Sequence, residues 1–443
     1  MTTTAPRLFA FPTACTACAA ALLALTSAGR ATAQRASAAP PPASVLVLTR
    51  ARVLDPVGGA RPGLAQVVVR GRVIERVDAD GAAVPAGARV IDVGGRWVLP
   101  GLIDAHTHVA TLAAARRALA SGVTTVRSAG VPAFQDVVLR DLVRAGAVPG
   151  PDVVAAGVFV TPELGETLLA DARLAPLAAG VRTPEELRAA VRVNLERGVD
   201  VIKTRGTERA GLPDTDPRQQ SYTEAQLRAV VEEAATRGIP VEVHAHGDEG
   251  ARAAVLAGAR SIEHGTYLSD STLRLMRARG TWLVPTYSTV DDLTTPGGDY
   301  DDPVLALRGR HMLPRLGETV RRARALGVRV ATGADTDYGP RSTTRVAHEV
   351  EAFVRLGYPP AEALRAATSD AAELLGVAAR TGRVLPGREA DLIVVEADPR
   401  EDVRTLQDVL LVVSNGAVAV TRLPFALPAP AAPPTAAGAR RTP

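Results

Sequence analysis

Five of the seven histidines stand at the ends of short apolar runs, the positions from which side chains can converge on one point. His106 and His108 close the run Gly101-Leu-Ile-Asp-Ala-His-Thr-His, and His244 and His246 close Val241-Glu-Val-His-Ala-His-Gly. Along a strand, residues two apart point to the same face, so each pair can reach one ion. A pair at that spacing can equally hydrogen-bond across a sheet, so neither alone defines a metal site. His264 ends Ser261-Ile-Glu-His-Gly, and Asp335 follows Ala331-Thr-Gly-Ala, where an isolated Asp can also cap a helix. Six such residues at the ends of parallel runs point together to a metal centre. His311 and His348 lie in helical surroundings and are not expected to be ligands.

The basic residues carry a second signal. Of 51 Lys and Arg, one is lysine: Lys203, at the end of Asp200-Val-Ile-Lys. Arginine serves for solubility, ion pairs and phosphate binding, but it does not readily lose its proton and act as an amine nucleophile. An isolated ammonium at the end of an inward-pointing strand is costly to bury. Reaction of Lys203 with CO2 would turn that cation into a carbamate, a bidentate oxygen ligand able to bridge two metal ions.

Positioning these residues requires a regular scaffold. Between about 100 and 382, eight short apolar runs alternate with Ala/Leu/Arg/Glu-rich helical stretches. The runs are Gly101–His106, Gly122–Val126, Asp152–Ala156, Asp200–Lys203, Pro240–His244, Ser261–His264, Thr281–Pro285 and Arg329–Thr332. Eight βα units predict an α/β fold, a (β/α)8 TIM barrel with its chemistry at the C-terminal strand ends. An open doubly wound sheet competes, but no Gly-x-Gly-x-x-Gly follows the first run. Residues 44–99 and 383–422 are β-patterned with Gly-Gly, Asp-Gly and Asn415-Gly416 turns, and predict one small β-sandwich domain built from both chain ends.

Residues 1–33 read as a signal peptide: Arg7, an apolar stretch from Leu8 to Leu25, and Ala31-Thr32-Ala33 before Gln34. An uncleaved anchor helix is the alternative. Residues 34–43 read as a linker and 423–443 as a Pro/Ala-rich tail. Cys15 and Cys18 both lie in the signal segment, so the exported, periplasmic or secreted chain would hold no disulfide. Losing Arg7 and Arg30 and no acid would take the net charge from +4 to +2, which gives no electrostatic reason to expect nucleic acid. After cleavage no membrane association is expected, and a homo-oligomer is compatible with the sequence. At 47% hydrophobic and 22% charged, the chain can bury a large core and is not disordered.

Over residues 44 to 422 the sequence resembles the amidohydrolase superfamily, specifically its binuclear metal-dependent members. The resemblance rests on Val98-Leu-Pro-Gly-Leu-Ile-Asp-Ala-His-Thr-His, Gly122-Val-Thr-Thr-Val-Arg, Val201-Ile-Lys and Val243-His-Ala-His-Gly. It rests further on Ile262-Glu-His-Gly-Thr-Tyr, Gly333-Ala-Asp and Pro386-Gly-Arg-Glu-Ala-Asp-Leu-Ile-Val. The subgroup it looks most like includes imidazolonepropionase-related exported peptidases and ochratoxinase-type amidases. The resemblance implies that His106, His108 and Asp335 hold a buried ion, that His244 and His264 hold an outer one, and that carboxylated Lys203 bridges them. The donor set suits zinc. It also implies attack on an amide carbonyl by a metal-bridging hydroxide, with Asp335 shuttling the proton to the leaving nitrogen. His246 is expected either to contact substrate or to support the ligands, and Tyr267 to contact substrate. Arg205, Arg209, Arg341 and Arg345 follow strand ends and are candidates to bind the carboxylate of a small peptide-like or N-acyl amino acid substrate. Residues 157 to 180 depart from the Gly/His-rich loop expected in the peptidase subgroup. The alternatives are a lactonase or esterase on the same site, or an inactive barrel acting as a binding protein.

Overall fold

The computed structural model describes residues 44–423; the expected signal peptide and linker, and the tail from 424 onward, lie outside the described residues. Where the sequence alternates apolar runs with helical stretches, the chain builds parallel β-structure flanked by helices. The first three runs become Leu102–Thr107, Val123–Ser128 and Asp152–Val154, a three-stranded parallel sheet. The next four become Ile202–Arg205, Val241–Ala245, Ser261–His264 and Trp282–Val284, a four-stranded parallel sheet. These seven are called the first to seventh parallel strands below. Two of the helices between them start with a capping box, Thr183 with Glu186 and Thr223 with Gln226.

The structure departs from the expected closed eight-stranded barrel. The two sheets are joined by single parallel bridges, Val160 to Thr204, Leu283 to Val330 and Thr107 to Thr336. The eighth run, Arg329–Thr332, contributes one bridged residue, Val330, in place of a strand. The reason lies in competition for backbone donors. Ile103 N–H donates to the Ala367 carbonyl (2.8 Å) and Thr332 N–H to the Ala366 carbonyl (3.0 Å). A continuous ladder between the eighth run and the first strand would need those amides.

Both chain ends enter one mixed sheet of nine strands, ordered Ala417–Thr421, Leu411–Ser414, Leu392–Val395, Trp97–Pro100, Val45–Asp55, Ala65–Arg70 and Val73–Ala79. Gly59–Ala60 and Arg89–Asp92 pair at the side of Val45–Asp55. The two segments expected to form a small β-sandwich domain are hydrogen-bonded into this one sheet. Alternate residues, among them Leu46, Leu48, Val67, Val69, Val98, Leu392, Val394, Leu411 and Val413, share one buried cluster. No helix among the described residues is long and apolar enough to cross a membrane.

Gly101 is the hinge between the two parts. Trp97–Pro100 pairs antiparallel with Leu392–Val395, and the next residue leads into the first parallel strand. A Cβ at Gly101 would overlap the Thr124 side chain. Gly101→Ala should therefore lower stability by about 1–3 kcal/mol through overpacking. Denaturant unfolding should show a lower midpoint with an unchanged slope; an unchanged midpoint would mean that Thr124 gives way.

Candidate metal centre

The first strand sets the register. Asp104 and His106 alternate onto the interior face, and His108 follows just past the strand end. Asp104 is fully buried and accepts from Ala334 N–H (2.9 Å), His106 N–H (3.2 Å) and the Tyr338 hydroxyl (2.8 Å). One carboxyl thereby ties the His106 segment to the loop carrying Asp335, and Asp335 N–H closes the join on the His106 carbonyl (2.8 Å). Burial pushes the Asp104 carboxyl up to about 7. Gly333 keeps the approach close, because a Cβ there would lie 2.7 Å from His106 Cβ.

Each ring is held by one nitrogen. His106 Nδ1 meets Glu263 Oε2 at 2.7 Å, leaving Nε2 3.4 Å from Asp335 Oδ1 and 3.5 Å from Lys203 Nζ. His108 Nδ1 donates to the Gly130 carbonyl (2.8 Å), and its Nε2 lies 3.2 Å from Asp335 Oδ1. His244 Nε2 donates to the Glu208 carbonyl (3.1 Å). His246 Nδ1 pairs with Thr266 Oγ1 (2.8 Å) and His264 Nδ1 with Thr286 Oγ1 (2.7 Å). Such outer partners orient ligand rings and fix their tautomers.

The rings crowd together: His244 and His264 centroids are 4.4 Å apart, and His246 stacks on His264 at 4.6 Å. Donor atoms of His106, His264 and Asp335 lie within 4.8 Å of one another, and so do those of His244, His246 and His264. His246 thus belongs to the second group, a closer place than its sequence position alone assigns. Strand parity would point Glu263 inward and His264 outward. His264 instead takes a left-handed backbone (φ 74°), which swings its ring into the group. Asp335 is left-handed as well (φ 50°).

A buried charge network forms the floor. Arg127, on the second strand, donates to the Ala105 carbonyl (2.7 Å), Ser261 Oγ (3.1 Å) and Glu263 Oε1 (2.8 Å), and its Nε lies 2.8 Å from Glu242 Oε2. Burial pushes Glu242 up to about 7 against the pull of Arg127. Burial also opposes the charge on Glu263, but Arg127 and the bond to His106 outweigh it and hold that carboxyl below its ordinary range. Arg127, Asp104 and Glu263 were not singled out by type. Interior parity along the strands is the signal that could have found them.

Burial drives the imidazoles to their neutral, lone-pair-bearing form. His106 falls to about 4, by burial and then by the Lys203 charge, and His246 falls to about 3 by burial. His244 and His264 are lowered well below the ordinary value, again chiefly by burial. Burial would raise Asp335, yet His106, His108 and Lys203 together hold it ionised, well below the usual carboxylate range.

A cavity of about 730 Å³ opens above these groups, and His106, His108, Lys203, His244, His246, His264 and Asp335 all line it. The structure separates the other sequence candidates. Arg205 lines the cavity but is paired with Glu208 (3.0 Å) and Glu163 (3.4 Å). Tyr267 packs its ring toward His311 (6.2 Å) and is not among the lining residues. Arg345 donates to the Thr344 carbonyl and lies over the Tyr338 ring; it and Arg341 are outside the cavity wall. Tyr300, from the stretch Asp291 to Asp302, does line the cavity and was not anticipated.

The low position of His246 has a testable consequence. Its folded-state pKa, about 3, lies below the ordinary 6.5, so as pH falls the unfolded chain takes up the proton first. The stability linked to the neutral ring is present above 6.5 and is lost as pH falls toward 3. In chelator-treated protein, wild type should lose stability relative to His246→Gln between pH 7.5 and 5, read from denaturant midpoints. A widening gap in favour of wild type would mean that the folded state holds the ring protonated.

Comparison with known proteins agrees with this geometry. Residues 97–419 match the Amidohydrolase family. Ochratoxinase from Aspergillus niger is 29% identical over 359 residues, spanning 70% of this chain and 72% of that protein. Imidazolonepropionase from Chromobacterium violaceum is 29% identical over 403 residues, spanning 81% and 92% respectively. The crystal structure of a Xaa-Pro dipeptidase with bound methionine in its active site superimposes with a TM-score of 0.76 at 28% identity, covering 85% of this chain and 99% of that one. With its parallel strands, its histidine groups and a family match over most of its length, the chain belongs to the amidohydrolase family.

Proposed function

We propose that this hydrolase cleaves the amide bond of a peptide-like or N-acyl amino acid substrate with two divalent metal ions, zinc on this nitrogen-rich donor set. The observation that carries the reading is Lys203. It is 5% exposed and, among the described residues, forms no ion pair with a carboxylate and has His106 Nε2 as its hydrogen-bonding neighbour at 3.5 Å. The carboxylates of Asp335, Glu242 and Glu263 feel its charge without pairing with it directly, which leaves the amine placed to react. Carbamate formation would use it: the neutral amine adds to CO2, an N–C bond forms and one proton leaves, so an anion with two oxygen donors would replace the cation.

His106, His108 and Asp335 would hold one ion and His244, His246 and His264 the other, with the Lys203 carbamate as a further oxygen ligand. The neutral rings of His106, His244, His246 and His264 and the ionised Asp335 carboxylate are in the protonation states such ligands need. Bound ions of this kind polarise a carbonyl and acidify a water. Asp335 accepts the proton of the attacking water and returns it to the leaving nitrogen as the C–O bond forms and the C–N bond breaks. Glu263 and Gly130 keep His106 and His108 aimed at Asp335 through that exchange. The Xaa-Pro dipeptidase, named for cleaving a dipeptide, supports the bond type.

The test is a panel of dipeptides and N-acyl amino acids with added zinc. Lys203→Ala should abolish metal-dependent turnover and be partly rescued by a short carboxylic acid; full activity in that variant sinks the bridging role. The purified protein should carry two ions per chain. Protein that takes up none would favour a binding scaffold instead.

A further inference from the structure

Residues 206–221, which follow the fourth strand, run out as a hairpin and return. The base of the hairpin is closed by the bridge of Thr207 to Gln220, by Glu208 N–H on the Gln219 carbonyl (2.9 Å) and by Ser221 N–H on the Gly206 carbonyl (2.9 Å). That base also touches the metal centre. The Glu208 carbonyl accepts from His244 Nε2 (3.1 Å), and Thr207 Oγ1 accepts from His246 N–H (2.9 Å). The tip, residues 209–215, reaches over the cavity, where Arg209, Ala210, Gly211, Leu212, Asp214 and Thr215 form part of the wall.

One side chain holds the tip. Arg308, on the helix Pro303–Ala325, donates to the carbonyls of Ala210 (2.6 Å), Leu212 (2.5 Å), Pro213 (3.1 Å) and Thr215 (2.5 Å). Among the described residues these are the only hydrogen bonds between the tip and the rest of the protein, and Arg308 forms no ion pair. A guanidinium that spends its donors on carbonyls of four residues fixes the path of that backbone, and the compact ammonium of a lysine does not span them. Tyr300 adds an apolar contact: a Cβ at Gly211 would come within 3.0 Å of Tyr300 Cε1. The Tyr300 segment is itself secured. Asp299 accepts from Ser342 Oγ (2.6 Å) and Thr343 N–H (3.1 Å), and Asp292 accepts from Asp299 N–H (2.7 Å) and Thr343 Oγ1 (3.1 Å). With the hairpin base and the Tyr300 segment both fixed, the tip is the part that opens when Arg308 lets go.

We propose that Arg308 is a specificity-determining residue: it pins the tip as a roof, and the roof confines the enzyme to substrates of dipeptide or N-acyl amino acid length. This rests on the amide-hydrolase reading above. A cavity of about 730 Å³ has the volume of a sphere about 11 Å across, whereas an extended hexapeptide is about 20 Å long. A longer chain seats its scissile bond over the metal centre by displacing the tip, and the four bonds to Arg308 are then lost. A short substrate leaves them in place.

The test uses the zinc-loaded full chain with alanyl-leucine and penta-alanyl-leucine, which present the same scissile bond and are read as leucine release. Wild type should prefer the dipeptide. Arg308→Ala should raise kcat/KM for the hexapeptide relative to the dipeptide by about 10-fold or more. It should still bind two zinc ions per chain, because the hairpin base at His244 and His246 is closed without Arg308. Arg308→Lys should fall between, and Gly211→Val, which drives the tip off the Tyr300 ring, should act in the same direction from the other side. A second readout needs no turnover: trypsin cleavage after the exposed Arg209, identified by fragment mass, should quicken about 10-fold or more in Arg308→Ala. An unchanged peptide ratio in Arg308→Ala and Gly211→Val, unchanged cleavage after Arg209, or wild type acting equally on both peptides overturns the roof. If wild type cleaves no amide, yet penta-alanyl-leucine binds Arg308→Ala about 10-fold or more tightly by calorimetry while alanyl-leucine binding is unchanged, the hydrolase reading fails and the roof stands.

Discussion

Desolvation at the strand ends is the constraint on which the rest of this structure depends. Imidazoles, a carboxylate and a lysine crowd together at the base of the cavity, where burial disfavours charge on the enclosed groups. The fold answers with protonation states and partners. The rings of His106, His244, His246 and His264 go neutral, and these and His108 each give one nitrogen to an orienting group from another element: Glu263, the Gly130 and Glu208 carbonyls, Thr266 and Thr286. The acid Asp335 stays ionised because His106, His108 and Lys203 surround it.

The floor obeys the same rule. Arg127 is a buried cation facing two carboxylates, and burial raises Glu242 to about 7 while Glu263 remains the charged partner. Such a network adds little stability compared with apolar side chains of similar volume. Its contribution is directional: Glu263 joins the floor to His106, so the aim of a ligand ring is fixed from below by residues that never meet the cavity.

Much of this was legible in the sequence because strand alternation is local. His-x-His at two run ends, Lys203 alone among arginines, and Gly-Ala-Asp after an apolar run all reached the same place. The failures were non-local. Closure of the barrel fails where Ala366 and Ala367 take amides of Ile103 and Thr332, a competition set by residues more than 30 positions past the eighth run or 260 past the first strand. His264 joins the centre through a left-handed turn that a non-glycine residue does not announce. Arg345 and Tyr267 follow strand ends yet face elsewhere, since nearness in sequence does not say which side of a loop meets the cavity. Tyr300 reaches it from a stretch with no periodic pattern, through contact with a glycine on another loop.

Six non-glycine residues among those described have a left-handed φ of 47–74°, and four of them, His264, Thr286, Asp335 and Tyr338, belong to the centre or hold it in place. Backbone of this kind costs of order 1–3 kcal/mol per residue. Asn or Gly would relax the chain at His264 and Asp335 but would remove the donor atoms. The centre thus sets a ceiling on how stable the fold can become while keeping its chemistry. Lineages under thermal selection must find their gains elsewhere, in the outer helices and the nine-stranded sheet, and leave these four residues strained.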